Sequence, residues 1–220
     1  MAAFSELESR VDRGGLGRLW SLHVKIDVLL SLPLLAFGAA FARELVAFLY
    51  GADFGRAAGL LAIFAGVWMV ARVLGGGTNT AVLYAMQSPR LPLLIFGTCG
   101  AFNLAGDLVL IPRLGARGAV LATGAAMLAA GLASGLVIRR RTGAFFPVVF
   151  ALKVLAASAL GTLLARVVPR PGGLAGLLVA AAVAGVAMLV GLRLLRPLGE
   201  DDRRLLVKLS PRLQWLVGHL

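Results

Sequence analysis

The sequence predicts an all-α, polytopic membrane protein with about six transmembrane helices. Of its 220 residues, 60% are hydrophobic and only 15% are charged, whereas soluble domains have about 45–50% apolar and about 25% charged residues. The uncharged runs 118–138 and 171–192 contain 21 and 22 residues, and each could cross a hydrocarbon core of roughly 30 Å as a helix. Short links rich in Gly and Pro separate the apolar runs, which favours a bundle of antiparallel neighbours.

Six apolar runs define the predicted helices, at 27–49, 57–87, 91–111, 117–138, 145–167 and 173–194. Each helix ends at residues with turn chemistry. In chain order these are Gly51 with Asp53, Ser88-Pro89, Pro112 with Gly115, Thr142-Gly143, and Pro169 with Pro171. The segments 1–25 and 197–220 combine apolar residues at helical spacing with many charges. We therefore expect amphipathic helices on the membrane surface before and after a transmembrane bundle at 26–196.

The basic residues predict the orientation of the bundle. Six spans place both tails on the same side, where fourteen of the 22 Lys and Arg residues lie. The opposite side has six, namely Arg43, Arg56, Arg113, Arg117, Arg166 and Arg170. The positive-inside rule therefore predicts that both termini are cytoplasmic. A net charge of +12 would suggest nucleic acid in a soluble domain, but here the charges stand between apolar runs, so we expect them to face membrane lipid and no nucleic acid.

The sequence offers no constellation for catalysis or cofactor binding. Membrane enzymes need a clustered acid, base or metal, usually on a loop, and here the loops are short and hold mainly Arg, Gly and Pro. We therefore expect no enzyme activity and no cofactor. His23 and His219 stand far apart without other metal-ligand spacing, so we expect no metal site. Cys99 is the only cysteine, which excludes an intrachain disulfide.

The most distinctive motif in the chain occupies residues 103–119, NLAGDLVLIPRLGARGA. We expect Pro112 to stop one helix, Gly115 to permit a tight link, and Gly118 to let the next helix start close against the first. A helix that bears Asn, ends in Ile-Pro and is followed by a Gly-Ala-x-Gly-Ala turn resembles the multidrug/oligosaccharidyl-lipid/polysaccharide (MOP) exporter superfamily. Residues 49–51, LYG, and 81–90, AVLYAMQSPR, are similar to links in that superfamily.

Within the superfamily the chain is most similar to the polysaccharide biosynthesis proteins, which flip undecaprenyl-linked oligosaccharides. The resemblance implies the C-terminal half of a flippase that moves polyprenyl-linked oligosaccharide across the bacterial inner membrane for cell-surface polysaccharide, such as lipopolysaccharide. Two other hypotheses stay open. The chain could be half of a MATE-type drug or cation exporter, or a half-size membrane module that does not transport.

Members of the superfamily have two lobes related by pseudosymmetry, and this chain matches only the C-terminal lobe. Alternating access requires two halves that rock about a shared site, so we expect a missing N-terminal lobe or a second copy as a partner. In order of preference, the resemblance suggests a truncated gene model, a split protein whose N-terminal half is separate, or a half-size protein that dimerises.

Arg72 is the first candidate binding residue, because it is the only charge in the 32-residue run 57–88. Fifteen residues precede it in this run and sixteen follow, which predicts a position near mid-membrane. A central arginine costs at least about 2.5–3.5 kcal/mol on insertion scales, so it should face protein or a wet cavity. Gly75, Gly76 and Asn79 share its helix face and leave room beside the guanidinium, and Asn79 is the second candidate binding residue. Either Arg72 binds a substrate pyrophosphate there, or it pairs with a carboxylate such as Asp107 or with backbone freed around the glycines.

Asn103 and Asp107 are the other candidates, four residues apart on one face of the third predicted helix. Such a pair could form a cation or proton site, as carboxylates do in coupled transporters. The alternative is structural. Asn103 would then form an interhelical hydrogen bond, and Asp107 would lie within reach of the membrane interface.

Overall fold

The computed structural model describes residues 13–86, 89–197, 199 and 202. Every regular element in these ranges is helical, which confirms the predicted all-α class. There are eight α-helices in the described ranges and one short 3-10 turn, Ala52–Phe54. The helices are α1 (Arg13–Ala40), α2 (Ala42–Tyr50), α3 (Ala57–Val73), α4 (Asn79–Ala85), α5 (Arg90–Leu114), α6 (Ala116–Thr142), α7 (Val148–Val167) and α8 (Gly173–Leu195).

The first predicted helix starts earlier than the sequence suggested. Helix α1 begins at Arg13 and runs through the expected boundary at residues 25 and 26 without a break. Leu16 and Trp20, which precede that boundary, are buried like Val24, Val28 and other apolar residues that follow it. Because these side chains continue one buried face at helical spacing, the helix has no reason to end between them. At its other end, the single residue Phe41 separates α1 from α2.

The second predicted helix, 57–87, is wrong as one continuous element, because it breaks between α3 and α4. Gly75 has a φ of +75°, the left-handed conformation that glycine adopts without penalty. The Gly75 N–H donates to the Arg72 carbonyl and the Gly76 N–H to the Ala71 carbonyl, each at 2.9 Å. This pair of bonds is the Schellman arrangement that closes a helix at its C-terminus. The chain then resumes as α4 at Asn79.

Pro112 does not stop the third predicted helix, since α5 continues through it to Leu114. A proline in the last turn removes only one hydrogen bond of the helix. The helix ends instead at Gly115, which has a φ of +58° and donates to the Ile111 carbonyl at 2.8 Å. The tight link and the close start of the next helix are confirmed, because a side chain at Gly118 would meet the backbone of Leu110.

Helix α1 lies at the centre of the bundle. It packs against α3 on one side and α7 on the other, and it also contacts α6 and α8. Helix α5 packs along α6 at one edge of the bundle, and α8 packs along α7 at the other edge. Trp20 and Leu22 of α1 are fully buried in an apolar cluster that also contains residues of α4, α6, α7 and α8. Burial of α1 therefore holds the two outer pairs of helices together.

Five described helices, α1, α5, α6, α7 and α8, are long and apolar enough to cross a membrane. Helix α3 is apolar but shorter, because the glycine turn ends it at Val73. The predicted number of six spans is thus matched approximately, with the second span divided between α3 and α4. Large apolar side chains cover the outside of the bundle, such as Leu34, Val149 and Leu194, each more than two-thirds exposed. The protein is therefore a polytopic, membrane-embedded helical bundle.

Most of the two predicted tail segments lies outside the described residues, namely 1–12 and most of 197–220. Two contacts show where the described parts of these segments lie in the bundle. Lys25 on α1 forms an ion pair with Asp202 at 2.7 Å, which ties the chain after α8 to α1. A side chain at Gly17 would touch Thr142, at the end of α6, at 3.0 Å. The start of α1 and the end of α8 therefore lie at the same end of the bundle.

Candidate functional site

The break between α3 and α4 brings a charged pair into the bundle. Arg72 lies in the last turn of α3, and its Nη1 atom donates to Asp27 Oδ1 on α1 at 3.1 Å and to Oδ2 at 3.4 Å. The side chains are 27% and 25% exposed, so the pair is partly shielded from its surroundings. Arg72 therefore pairs with the carboxylate of Asp27. The prediction that named Asp107 as an example of this partner is wrong.

The guanidinium of Arg72 has a second contact besides Asp27. Its centre lies 4.7 Å from the ring of Trp68, one helical turn earlier on α3, in a cation–π contact. A Cβ atom at Gly77 would lie only 2.8 Å from Nη1, so the absence of a side chain at Gly77 leaves room for the ion pair. The Nε atom is buried and has no hydrogen-bond partner in the described part of the chain. Arg72 therefore keeps donor capacity that its contacts with Asp27 do not use.

The position of the pair along the bundle follows from α1. Asp27 is ten residues beyond Gly17, which lies at the level of Thr142 at the end of α6. At about 1.5 Å per residue, Asp27 is about 15 Å along α1 from that end of the bundle. Helix α1 continues beyond Asp27 to Ala40.

Asn79, the first residue of α4, links three helices. Its side chain is 1% exposed and accepts a hydrogen bond from Trp20 Nε1 on α1 at 2.8 Å. Its amide nitrogen donates to the Leu74 carbonyl and to Ser134 Oγ on α6, each at 2.8 Å, and to the Gly131 carbonyl at 3.2 Å. These bonds fix the far side of the glycine turn to α1 and α6. Leaving one of these buried groups unpaired would cost about 1–3 kcal/mol.

Asn103 lies beside the same turn, in a cavity of about 240 Å³ between α3, α5 and α6. Ala71 and Gly76 form its wall on the side of the turn, and Thr123 and Ser134 contribute hydroxyl groups from α6. The Oδ1 atom of Asn103 is buried and has no hydrogen-bond partner among the described residues. A buried carbonyl oxygen in a partly polar cavity is an available ligand for a hydrogen-bond donor or a cation.

Asp107 lies one turn beyond Asn103 on the same face of α5, as its spacing predicts. Its Oδ1 atom is likewise buried without a hydrogen-bond partner in the described ranges. The four predicted site residues therefore fall into two groups. Arg72 and Asn79 contact α1, whereas Asn103 and Asp107 lie on α5. Within the described ranges, no group of three His, Cys, Asp or Glu side chains could hold a metal ion.

Sequence reasoning missed Asp27, Trp68 and Trp20 as parts of the site. A signal was present for Asp27, which is the only acidic residue of α1, Arg13–Ala40. An intramembrane acid and an intramembrane base are expected to find one another. The two tryptophans gave no such signal, since an apolar bundle contains buried aromatic residues for packing alone.

The ion pair makes a specific prediction for a double-mutant cycle on thermal stability. We expect Arg72→Ala to destabilise the protein by an amount between the about 1 kcal/mol of an exposed pair and the about 3–5 kcal/mol of a buried one. Asp27→Asn combined with Arg72→Ala should recover part of this loss, because no unpaired charge then remains. Asp107→Asn in the same background is the matched control and should recover none. Equal recovery by Asp107→Asn would show that the pairing with Asp27 is wrong.

No protein family matches the chain, and comparisons with curated proteins and with solved structures find no significant similarity either. The membrane-embedded fold thus rests on the helices described above. The resemblance to the MOP exporter superfamily stays a prediction from residues 49–51, 81–90 and 103–119.

Proposed function

We propose that the chain is the C-terminal lobe of a flippase that moves polyprenyl-linked oligosaccharide across the bacterial inner membrane, for the biosynthesis of cell-surface polysaccharide. Three features support this proposal. The chain is a polytopic helical bundle, its motifs are similar to those of oligosaccharide-exporting proteins, and it carries an arginine inside the bundle. Arg72 could bind the diphosphate that joins the lipid to the sugar.

The observation that carries the proposal is the discontinuous helix formed by α3 and α4. Substrate sites in secondary transporters are typically formed by helices that are interrupted near the middle of the membrane. Here the interruption is a glycine turn at Gly75–Gly77, and Arg72 is in the last turn before it. An interrupted apolar helix with a charged residue at its break has no simple advantage for stability. Transport of a charged group is the function that best explains it.

The exposed part of the pair explains how a diphosphate could be recognised. Asp27 contacts only the Nη1 atom of the guanidinium, and a planar guanidinium can bind a phosphate through two parallel hydrogen bonds. Asp27 would hold Arg72 in place while the site is empty, so the charge would never be unpaired. An incoming diphosphate would then replace part of the interaction with Asp27.

A second lobe would complete the site. The cavity beside Asn103 is open on one side. In the most apolar 18-residue stretch of α5, no residue is buried inside the bundle. In a two-lobed transporter, rocking of the halves would expose the sugar on the other side while the polyprenyl chain stays in lipid. We infer that an N-terminal lobe or a second copy of the chain supplies the opposite wall.

A drug or cation exporter is the second candidate, and one observation favours it. The unpartnered oxygens of Asn103 and Asp107 lie on one face of α5, and an oxygen pair of this kind could bind a cation or a proton. We prefer the flippase because the charged residue next to the interruption is an arginine, Arg72, which pairs with Asp27. A membrane module that does not transport is the third hypothesis.

The orientation of the proposed lobe follows from its basic residues. We expect cysteine probes at Phe145 and Gly199 to react only from the cytoplasm, and probes at Ala52 and Ala116 only from outside. These positions avoid Gly51, Gly115 and Gly143, whose positive φ angles disfavour a cysteine. Labelling of intact cells and of inverted vesicles, in a Cys99→Ala background, measures the accessibility. Reversed labelling would contradict the cytoplasmic placement of the termini.

Complementation of a strain that lacks an oligosaccharide flippase tests the transport function. The chain alone should not restore surface polysaccharide, whereas co-expression with the N-terminal lobe of a two-lobed oligosaccharide exporter should restore it. The physical reason is that alternating access needs both halves. Membrane abundance is measured in parallel, so that loss of protein is not mistaken for loss of function.

The other hypotheses forecast different results. A cation exporter would protect cells from cationic drugs, and Asp107→Asn would abolish this protection without restoring polysaccharide. A module that does not transport would do neither, at normal abundance and with either partner. Rescue of surface polysaccharide by a monomer of the chain alone would contradict the requirement for two lobes.

A further inference from the structure

A second charged pocket lies at the other end of the bundle, away from Arg72. Its volume is about 830 Å³, within the roughly 300–1,000 Å³ of typical ligand pockets. Glu44 and Phe48 of α2 form one wall, and Arg166 in the last turn of α7 and Arg170 in the link after it form another. The link from α7 to α8 closes it with Gly172. This is the end of the bundle opposite Thr142 and the predicted cytoplasmic tails.

The two arginines are held in place before any ligand arrives. Arg166 Nη1 lies 3.2 Å from Glu44 Oε1, and Arg170 Nη2 lies 3.4 Å from the same oxygen. Arg170 Nη1 also donates to the Ala165 carbonyl at 2.9 Å. Both guanidinium groups lie over the ring of Phe41, at 4.8 and 5.0 Å from its centre. Little conformational entropy remains to be lost when an anion binds such a fixed pair.

The charges in this pocket do not balance. Two arginines face one glutamate, and both contact its Oε1 atom, while Oε2 is buried without a partner in the described part of the chain. The side chain of Arg166 is 44% exposed, so it can reach a ligand. Gly172 and Gly173, at the N-terminus of α8, line the pocket, and no side chain caps that helix end. Its free N–H groups add to the positive potential.

The surroundings of the pocket indicate the kind of ligand. Val167 is 81% exposed, and Phe48 and Leu174 are about half exposed. These apolar side chains lie at the ends of helices in a membrane-embedded bundle, so they can contact acyl chains. A ligand that fits both features has an anionic head and an apolar tail. Basic pockets between transmembrane helices bind anionic lipid headgroups on the cytoplasmic side of membranes, and this pocket offers the same chemistry at the opposite end of the bundle.

We propose that this pocket binds the phosphate diester of an anionic phospholipid whose headgroup carries hydroxyl groups. Arg166 and Arg170 bind the phosphate oxygens. Glu44 Oε2 accepts a hydrogen bond from a headgroup hydroxyl, which supplies the partner that this buried oxygen lacks. The site differs from Arg72 in its helices and in its end of the bundle, so it does not depend on the proposed transport function.

The test uses the purified 220-residue chain in neutral detergent, titrated with phosphatidylglycerol. Phosphatidylcholine and inorganic phosphate are titrated in parallel, and both the melting temperature and the lipid bound in native mass spectrometry are measured. We expect phosphatidylglycerol alone to raise the melting temperature and to be retained. Arg166→Gln with Arg170→Gln should weaken its binding roughly tenfold or more, as the loss of charge-assisted hydrogen bonds would give.

The chain provides a matched control at the same end of the bundle. Arg113 and Arg117 are also four residues apart, and both are exposed beside the link from α5 to α6. Arg113→Gln with Arg117→Gln removes the same charge and should leave phosphatidylglycerol binding unchanged. Equal weakening by the two double variants would overturn the proposal, because it would reduce the effect to general electrostatic attraction.

A third variant keeps the proposal testable if the arginine variant fails to fold. Glu44→Gln keeps both arginines, but it replaces the free acceptor oxygen of Glu44 with an NH2 group that cannot accept a hydrogen bond. It should therefore lose the preference for phosphatidylglycerol over phosphatidylmethanol, whose headgroup has no hydroxyl. An unchanged preference would overturn the proposal, because Glu44 would then not contact the headgroup. Equal stabilisation by inorganic phosphate would also overturn it, because the site would then bind free phosphate rather than lipid.

Discussion

An arginine placed inside an apolar helical bundle must find a partner, and the centre of this protein is arranged around that requirement. Arg72 is the only charge in a run of 32 residues, and Asp27 of α1 pairs with it at 3.1 Å. The pair fixes how α1 packs on α3, and α1 in turn connects the two outer pairs of helices. The glycine turn makes the pair possible, because Gly77 leaves room for the guanidinium.

The polar side chains of this part of the bundle are of two kinds. Asn79 is buried and its hydrogen bonds to Trp20, Ser134 and backbone carbonyls are satisfied, so these contacts favour rigidity. Asn103 and Asp107 of α5 each have an oxygen without a partner in the described residues, and Asn103 shares its cavity with Ser134. A rigid support next to groups that still have bonding capacity is what a binding site in a membrane requires.

Much of the fold could be predicted from the sequence, because long apolar runs and Gly-Pro links report directly on helices in a membrane. The main error concerns Gly75 and Gly76. The sequence predicts that they leave space beside Arg72 within a continuous helix, whereas the left-handed conformation of Gly75 ends the helix. The site was predicted in part, since an isolated charge identifies Arg72 without showing its partner. Asp27 is 45 residues away in the sequence, and only the packing of α1 on α3 brings the two together.

The proposed role of Arg72 is to recognise a diphosphate at the interrupted helix, and the transport activity of Arg72→Lys is the sharpest test of this role. The variant is measured in the two-lobed assembly, together with its membrane abundance, and Arg90→Lys serves as the control at an exposed position. A lysine keeps the charge for Asp27 but cannot form the planar, two-bonded contact with phosphate. We expect normal abundance with transport reduced about tenfold or more, as the loss of one such contact would give. Full transport by Arg72→Lys and by Arg72→Ala, at normal abundance, would contradict this role.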